Sequence, residues 1–165
     1  MLSCSRRTWL AGSAAIGLAA CQQLAVAHDR AADRTDLEIA NETLVNNFCR
    51  DWSTLDVNAI TPYLADDLTY QISPGQPLIT SLEQFKKQIG PFMAKLESIR
   101  WEILRSYVIG PMVLNERIDH FNAAADSKTP SMRFQVAGEF LVEGNKIKVW
   151  KDWLIPGTKQ FIGKL

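Results

Sequence analysis

Asn115-Glu116-Arg117-Ile118-Asp119-His120-Phe121 is the stretch whose reading decides the rest of this chain. Its residues alternate in character, so it reads as a β-strand in which residues two apart share a face. Arg117 and Asp119 then point the same way with Asn115 beside them, while Glu116 and His120 take the opposite face. Further on, Lys146-Ile147-Lys148-Val149-Trp150-Lys151-Asp152-Trp153 reads as a second strand with Trp150 and Asp152 on one face. Two carboxylates and an arginine, offered by strands that can face one cavity, are the constellation that looks like chemistry. An Arg–Asp network that only orders the sheet is the competing explanation.

The flanking segments supply a setting. Ile99 to Ile109, then Gly110-Pro111, precedes the Arg117 strand as an antiparallel neighbour. A polar loop, Ala123 to Ser131, leads into a strand from Met132 to Val142, and Glu143-Gly144-Asn145 turns tightly into the Asp152 strand. Upstream, Asp36 is placed to cap a helix in which Leu37, Ala40, Leu44, Phe48, Trp52 and Leu55 recur at helical spacing. Cys49 beside that stripe reads as a small core residue. A short helix from Asp56 through Leu64 carries Pro62 as its weak point. Leu68-Thr69-Tyr70-Gln71-Ile72 reads as a strand, and Ser73-Pro74-Gly75-Gln76-Pro77 as a loop. Ser81 with Gln84 forms a capping-box pattern that opens a helix through Phe85, Ile89, Phe92, Met93 and Leu96, with Gly90-Pro91 set to bend or divide it. This order predicts an α+β fold, in which about three helices pack on one face of a strongly curved, mostly antiparallel sheet. Such a cone has one open, apolar mouth suited to a small molecule. Trp52, Trp101 and Trp153 are expected in the core or the pocket wall.

Composition removes several classes of function. The 165 residues suffice for one domain with a core and not for two. Lys plus Arg equals Asp plus Glu at 18 each, which leaves no basic footprint for nucleic acid. Two His and three scattered Cys without a Cys-x-x-Cys pair are too few for a structural zinc site. Neither a Gly-rich phosphate loop nor a Gly-x-Ser-x-Gly elbow occurs.

The first residues read as an address. Ser5-Arg6-Arg7-Thr8-Trp9-Leu10 looks like a twin-arginine export signal, and the apolar run after it is too short to span a bilayer. Leu18-Ala19-Ala20-Cys21 resembles a bacterial lipobox, so residues 1–20 are expected to be removed and Cys21 lipidated. Cleavage after Ala27, at Ala25-Val26-Ala27, is the alternative, which makes the protein soluble in the periplasm or secreted. Residues 21–35 form a polar tether and 36–165 one cone-fold domain. The expected location is the periplasmic side of a membrane, held by the N-terminal lipid. Loss of Arg6 and Arg7 with no acid leaves the mature chain slightly acidic. Cys49 then has no partner for an intramolecular disulfide.

Val113-Leu114-Asn115-Glu116-Arg117-Ile118-Asp119 and Val149-Trp150-Lys151-Asp152-Trp153 together resemble the limonene-1,2-epoxide hydrolase family, which has a nuclear transport factor 2-like cone fold. The likeness follows the element order of most of the mature chain, but only these segments and Tyr70 are specific. It implies that Asp152 is the general base, Asp119 the general acid and Arg117 the bridge between them. Tyr70 matches a tyrosine that helps hold the water, and Trp150 a residue lining the pocket. The resemblance also marks a departure. Where the family has Tyr-x-Asn, this chain has Tyr70-Gln71-Ile72, and Ile72 can neither donate nor accept a hydrogen bond. Asn115, on the Arg117 face, is the candidate to replace the missing amide at the water.

The chemistry is consistent with those roles. Opening an epoxide with water needs one proton removed from the nucleophile and another delivered to the departing ring oxygen. Two carboxyl groups in one dry pocket resist ionising together, so one can stay protonated. No covalent intermediate, metal or organic cofactor is needed. Two functions of different class follow: an exported epoxide hydrolase acting on an apolar terpenoid, alicyclic or sterol-like epoxide, or a lipoprotein using the same cone to bind a lipid or other apolar molecule without turnover. The particular substrate and the oligomeric state, a homodimer included, stay open at this level.

Overall fold

A computed structural model describes residues 34–128 and 130–162. The signal, the lipobox at Cys21, the cleavage sites and most of the tether lie outside the described residues. Helix α1 runs Asp36–Asp51 and tightens into a 3-10 turn at Trp52–Thr54. Its inward stripe is Leu44, Val45, Phe48, Cys49 and Trp52. Leu37 does not join it and is 61% exposed. The first turns of α1 instead grip the β2–β3 turn: Asn41 Nδ2 donates to the Gly110 carbonyl at 3.0 Å and the Gly110 N–H donates to Glu38 Oε1 at 2.9 Å. Gly110 has φ +56°, where a Cβ is penalised.

Asp56 caps helix α2 (Val57–Ile60) by accepting from the Asn58 N–H at 2.8 Å. The expected continuation to Leu64 is cut short. Pro62 has no N–H to carry the α-helical ladder, so the chain passes through a 3-10 turn at Thr61–Tyr63 and strand β1 begins at Leu64. β1 (Leu64–Gln71) thus starts earlier than its apolar pattern suggests, and Ile72 falls just past its end. Ser81 caps α3 (Leu82–Met93), while Gln84 Oε1 accepts from the Thr80 N–H at 3.0 Å. The helix runs on through Pro91 without dividing, and Leu96 opens strand β2 instead of extending the helical stripe.

Strands β2 (Leu96–Ile109), β3 (Met112–Ala123), β4 (Ser131–Glu143) and β5 (Lys146–Leu154) form an antiparallel run. β1 joins its far edge parallel to β5, giving the order β1-β5-β4-β3-β2. A short β6 (Gln160–Ile162) returns to pair with Ser131–Arg133 of β4, an element the sequence reading does not contain. The fold is the expected α+β cone with a curved, mixed sheet. α1 and α3 pack on the sheet through β2 and β1. Phe48 sits centrally, edge-on to Trp52, Trp101, Phe140 and Trp150 with centroids 5.2–6.3 Å away.

Candidate active site

Strand alternation builds the site on β3. Val113, Asn115, Arg117, Asp119 and Phe121 are all buried and point inward, with partly exposed residues between them. On β5 the alternation is broken once. Val142 pairs with Ile147 but Leu141 pairs with Val149, so Lys148 is bulged out. A one-residue slip exchanges the two faces of a strand. It is this bulge that turns Trp150 and Asp152 inward, below an inward Ile147. The bulged Lys148 makes an ion pair with Asp67 of β1 outside.

Between β3 and β5 lies β4, and Arg117 has to cross it to reach Asp152. The crossing is made at Gly138, which pairs with Asn115 on one side and Asp152 on the other. A Cβ at Gly138 would stand 2.3 Å from Arg117 Nη1, 2.7 Å from Asn115 Oδ1 and 2.8 Å from a Phe140 ring carbon. The absence of a side chain opens the channel for the guanidinium. The sequence reading missed this residue. A glycine within a strand is the signal that could have found it, since it marks close approach by another group.

The guanidinium is fully buried and nearly saturated. Arg117 Nε and Nη2 donate to the two oxygens of Asp119 at 2.8 and 3.3 Å, Nη2 also donates to Asp152 Oδ2 at 2.9 Å, and Nη1 donates to Asn115 Oδ1 at 3.1 Å. Its carbon lies 4.3 Å from the centre of the Trp101 ring, a cation–π contact. Trp150 Nε1 donates to Asp152 Oδ1 at 2.9 Å, and the Trp150 ring stacks on Tyr70 at 3.6 Å and 9°. That stacking follows from register, because Tyr70 is the parallel partner of Trp150.

Two candidates need correction. Asn115 does not line the cavity: its oxygen serves Arg117 and its amide donates to Cys49 Sγ at 3.5 Å, so it steadies the arginine and cannot stand in at the water. Trp150 does not line the cavity either, because Tyr70 lies flat against it, and its part is to hold Asp152. Trp52 and Trp101 do form cavity wall, whereas Trp153 faces outward at 36% exposure. Cys49 is fully buried and burial pushes its thiol up to about 12, which leaves it neutral and unreactive.

The cavity has a volume of about 400 Å³. Trp52, Tyr70, Phe92, Trp101, Phe121 and Phe134 give it aromatic walls, and Asp119 and Asp152 lie at its buried end. Ile72, Gln88, Leu154 and Lys159 are the solvent-exposed residues of its lining, with Ser73 half-buried beside Ile72. Burial raises Asp119 to about 7, against the pull of Arg117 and with the help of the Asp152 charge. Asp152 is also raised by burial, but Arg117, Trp150 and the Tyr70 hydroxyl all oppose the rise. Burial disfavours the Arg117 charge, but Asp119 and Asp152 outweigh it and keep the guanidinium charged. The two carboxyls therefore differ in surroundings: Arg117 alone opposes the rise at Asp119, whereas Trp150 and the Tyr70 hydroxyl join it at Asp152. The arrangement holds two buried carboxyls side by side, bridged by Arg117, in an apolar chamber.

Against known proteins, the family model described as the limonene-1,2-epoxide hydrolase catalytic domain matches residues 39–155. No curated protein matches in sequence. Among solved structures, an LEH-like epoxide hydrolase of M. tuberculosis is similar at 22% identity and a TM-score of 0.62, over 72% of this chain and 84% of that one. A Catenulispora acidiphila protein with a ketosteroid isomerase-like fold, in complex with trimethylamine, is similar at 20% identity and TM-score 0.59, over 70% and 87%. An NTF2-like protein of Burkholderia pseudomallei shares 11% identity at TM-score 0.60, over 70% and 91%. At these identities the structural likenesses speak for the fold alone.

Proposed function

Because the chain belongs to the limonene-1,2-epoxide hydrolase family, we propose that it adds water to an apolar epoxide to give a diol in one acid–base step. Asp152 accepts a proton from water, the water oxygen attacks an epoxide carbon, and Asp119 delivers its proton to the departing ring oxygen. The two carboxyls end the step with their protons exchanged, and Arg117, hydrogen-bonded to both, stays between them. Tyr70 lines the cavity next to Asp152, which supports its part in steadying the water. Acid–base help of this kind contributes roughly a hundred- to ten-thousand-fold. The observation that carries the reading is one buried arginine bridging two carboxyls with different donor sets at the buried end of an aromatic cavity.

The test is diol formation by the mature domain from a panel of terpene, styrene, alicyclic and sterol epoxides. Diol from at least one of them is expected. Tight binding of apolar molecules with no diol from any would make the cone a carrier, a reading favoured by Ile72 where the family has an amide. We also propose that the protein is exported and lipidated at Cys21, since two or more acyl chains anchor stably where one is marginal. Wild type in the membrane fraction and Cys21→Ala in the soluble periplasm is the expected contrast. Equal solubility would favour cleavage after Ala27.

A further inference from the structure

The solvent-exposed side of the cavity lining carries one charge that the buried end does not explain. Among the described residues lining the cavity, only Asp119, Asp152 and Lys159 are carboxyls or amines. The two carboxyls share the Arg117 guanidinium, so with Asp119 protonated the buried end is electrically neutral. Lys159 has no such compensation among the described residues: its ammonium lies over the face of Phe161, 5.1 Å from the ring centre. Ser73 and Gln88, both polar, line the cavity with it.

Lys159 is not on a loose tail. The Thr158 hydroxyl donates to the Ile155 carbonyl at 2.7 Å and accepts from the Gln135 N–H at 3.0 Å. The Ile155 N–H donates to the Gln135 carbonyl at 3.0 Å, and Gly157 at φ +79° makes the turn. Directly after Lys159, Gln160 and Phe161 pair with Arg133 and Met132 of β4. Thus the turn before β6 and the pairing of β6 with β4 hold Lys159 in the cavity lining, on its solvent-exposed side.

We infer that the ligand of this cavity is an amphipathic molecule, with an apolar body for the aromatic chamber and an anionic group, such as a carboxylate, that meets Lys159 on the exposed side. This rests on the hydrolase reading only in taking that body to carry the epoxide; the charge preference itself is a property of the cavity. The effect is modest, because Lys159 is exposed and water competes for it. Rim charges of this type act mainly on selectivity and capture and are screened by salt.

The test has a binding arm and a turnover arm. Decanoate and decanol are titrated at low salt while the fluorescence of the cavity tryptophans is followed. Decanoate is expected to bind about two- to fivefold tighter. That advantage shrinks with added salt, vanishes in Lys159→Gln and reverses in Lys159→Glu. Lys95→Gln, which removes a lysine that does not line the cavity, keeps it. In the second arm, kcat/KM is compared for the epoxide of a terminally unsaturated medium-chain acid and for its methyl ester, with the same expected pattern. Equal binding of decanoate and decanol, or a preference that survives Lys159→Gln, overturns the inference even if both epoxides are hydrolysed. A Lys159-dependent preference for decanoate without diol formation keeps the inference and removes the hydrolase reading.

Discussion

The two faces of β3 use the same residue types to opposite ends. Inward, Arg117 and Asp119 are 0% and 3% exposed and are joined by Asp152 from another strand. Outward, Glu116 pairs with Arg105 at 2.9 Å, and His120 meets Arg100 at 3.0 Å, with Glu102 close by. Water screens the outer groups, so the Arg100 hydrogen bond lowers the Glu102 carboxyl as ordinary ion pairing does. In the dry interior burial lifts both carboxyls instead, Asp119 to about 7. Position on the pleat, not residue type, makes one face a candidate site and the other a solvated surface.

The most direct way to break this contrast is to remove one arginine from each face. Arg117→Ala strands two buried carboxyls and is expected to cost roughly 3–5 kcal/mol. Arg105→Ala opens an exposed pair and should leave the denaturation midpoint almost unmoved. Parallel urea or thermal melts decide it. Equal midpoint losses would mean that the interior network is no more than another ion pair.

A second change keeps every charged group and shifts only its place. Gly138→Ala puts a methyl where Arg117 Nη1 and Asn115 Oδ1 now lie. The guanidinium must retreat from β5, and a misplacement of about an ångström in such a site can cost on the order of a hundredfold in rate. Overpacking would also destabilise by roughly 1–3 kcal/mol. If the folded variant keeps wild-type kcat/KM, the crossing at Gly138 does not set the arginine.

The proposed roles of the two carboxyls give the third prediction its sign. The base must be ionised and the acid protonated, so kcat/KM should fall as pH rises through about 7, where Asp119 loses its proton. It should also fall at low pH as Asp152 takes one up. Trp150→Phe removes a hydrogen bond that lowers Asp152, so the low-pH limb should move to higher pH. His120→Gln on the outer face should leave both limbs in place. A low-pH limb that ignores Trp150→Phe would assign that limb to another group.

The smallest effect is expected at Ile72, which lines the cavity but is 41% exposed just beyond β1. Ile72→Asn restores an amide where the family carries one. A hydrogen bond there nets roughly 0.5–1.5 kcal/mol, or a several-fold to about tenfold rise in kcat. A slower variant would show that the water is held without this position.

The inner face of β3 was legible because strict alternation places Arg117 with Asp119 whatever lies around them. Trp150 and Asp152 were legible together for the same reason, since the bulge at Lys148 lies upstream of both. The bulge's mark in the sequence is the adjacent apolar pair Val149-Trp150 between Lys148 and Lys151. A strand pattern alone does not assign that break in alternation to a bulge. The parallel pairing of β1 with β5, which stacks Tyr70 on Trp150, is a non-local choice that no local pattern encodes. Asn115 was placed on the correct face and given the wrong task, because a strand pattern fixes direction and not reach. Leu37 and Trp153 show the limit of apolar periodicity, which counts residues at element ends as core when their neighbours have already run out. β6 is only three residues long and depends on β4 for its existence.

The two-carboxyl mechanism stands or falls on Asp152. Its single most direct measurement is diol formation from an accepted epoxide by wild type and by Asp152→Asn, with ligand affinity measured alongside. Asparagine keeps the shape but cannot take the proton, so turnover should fall by at least about a hundredfold while affinity stays within a few-fold. Turnover that survives Asp152→Asn in a protein that still binds its ligand would contradict a base at Asp152, and with it the two-carboxyl site.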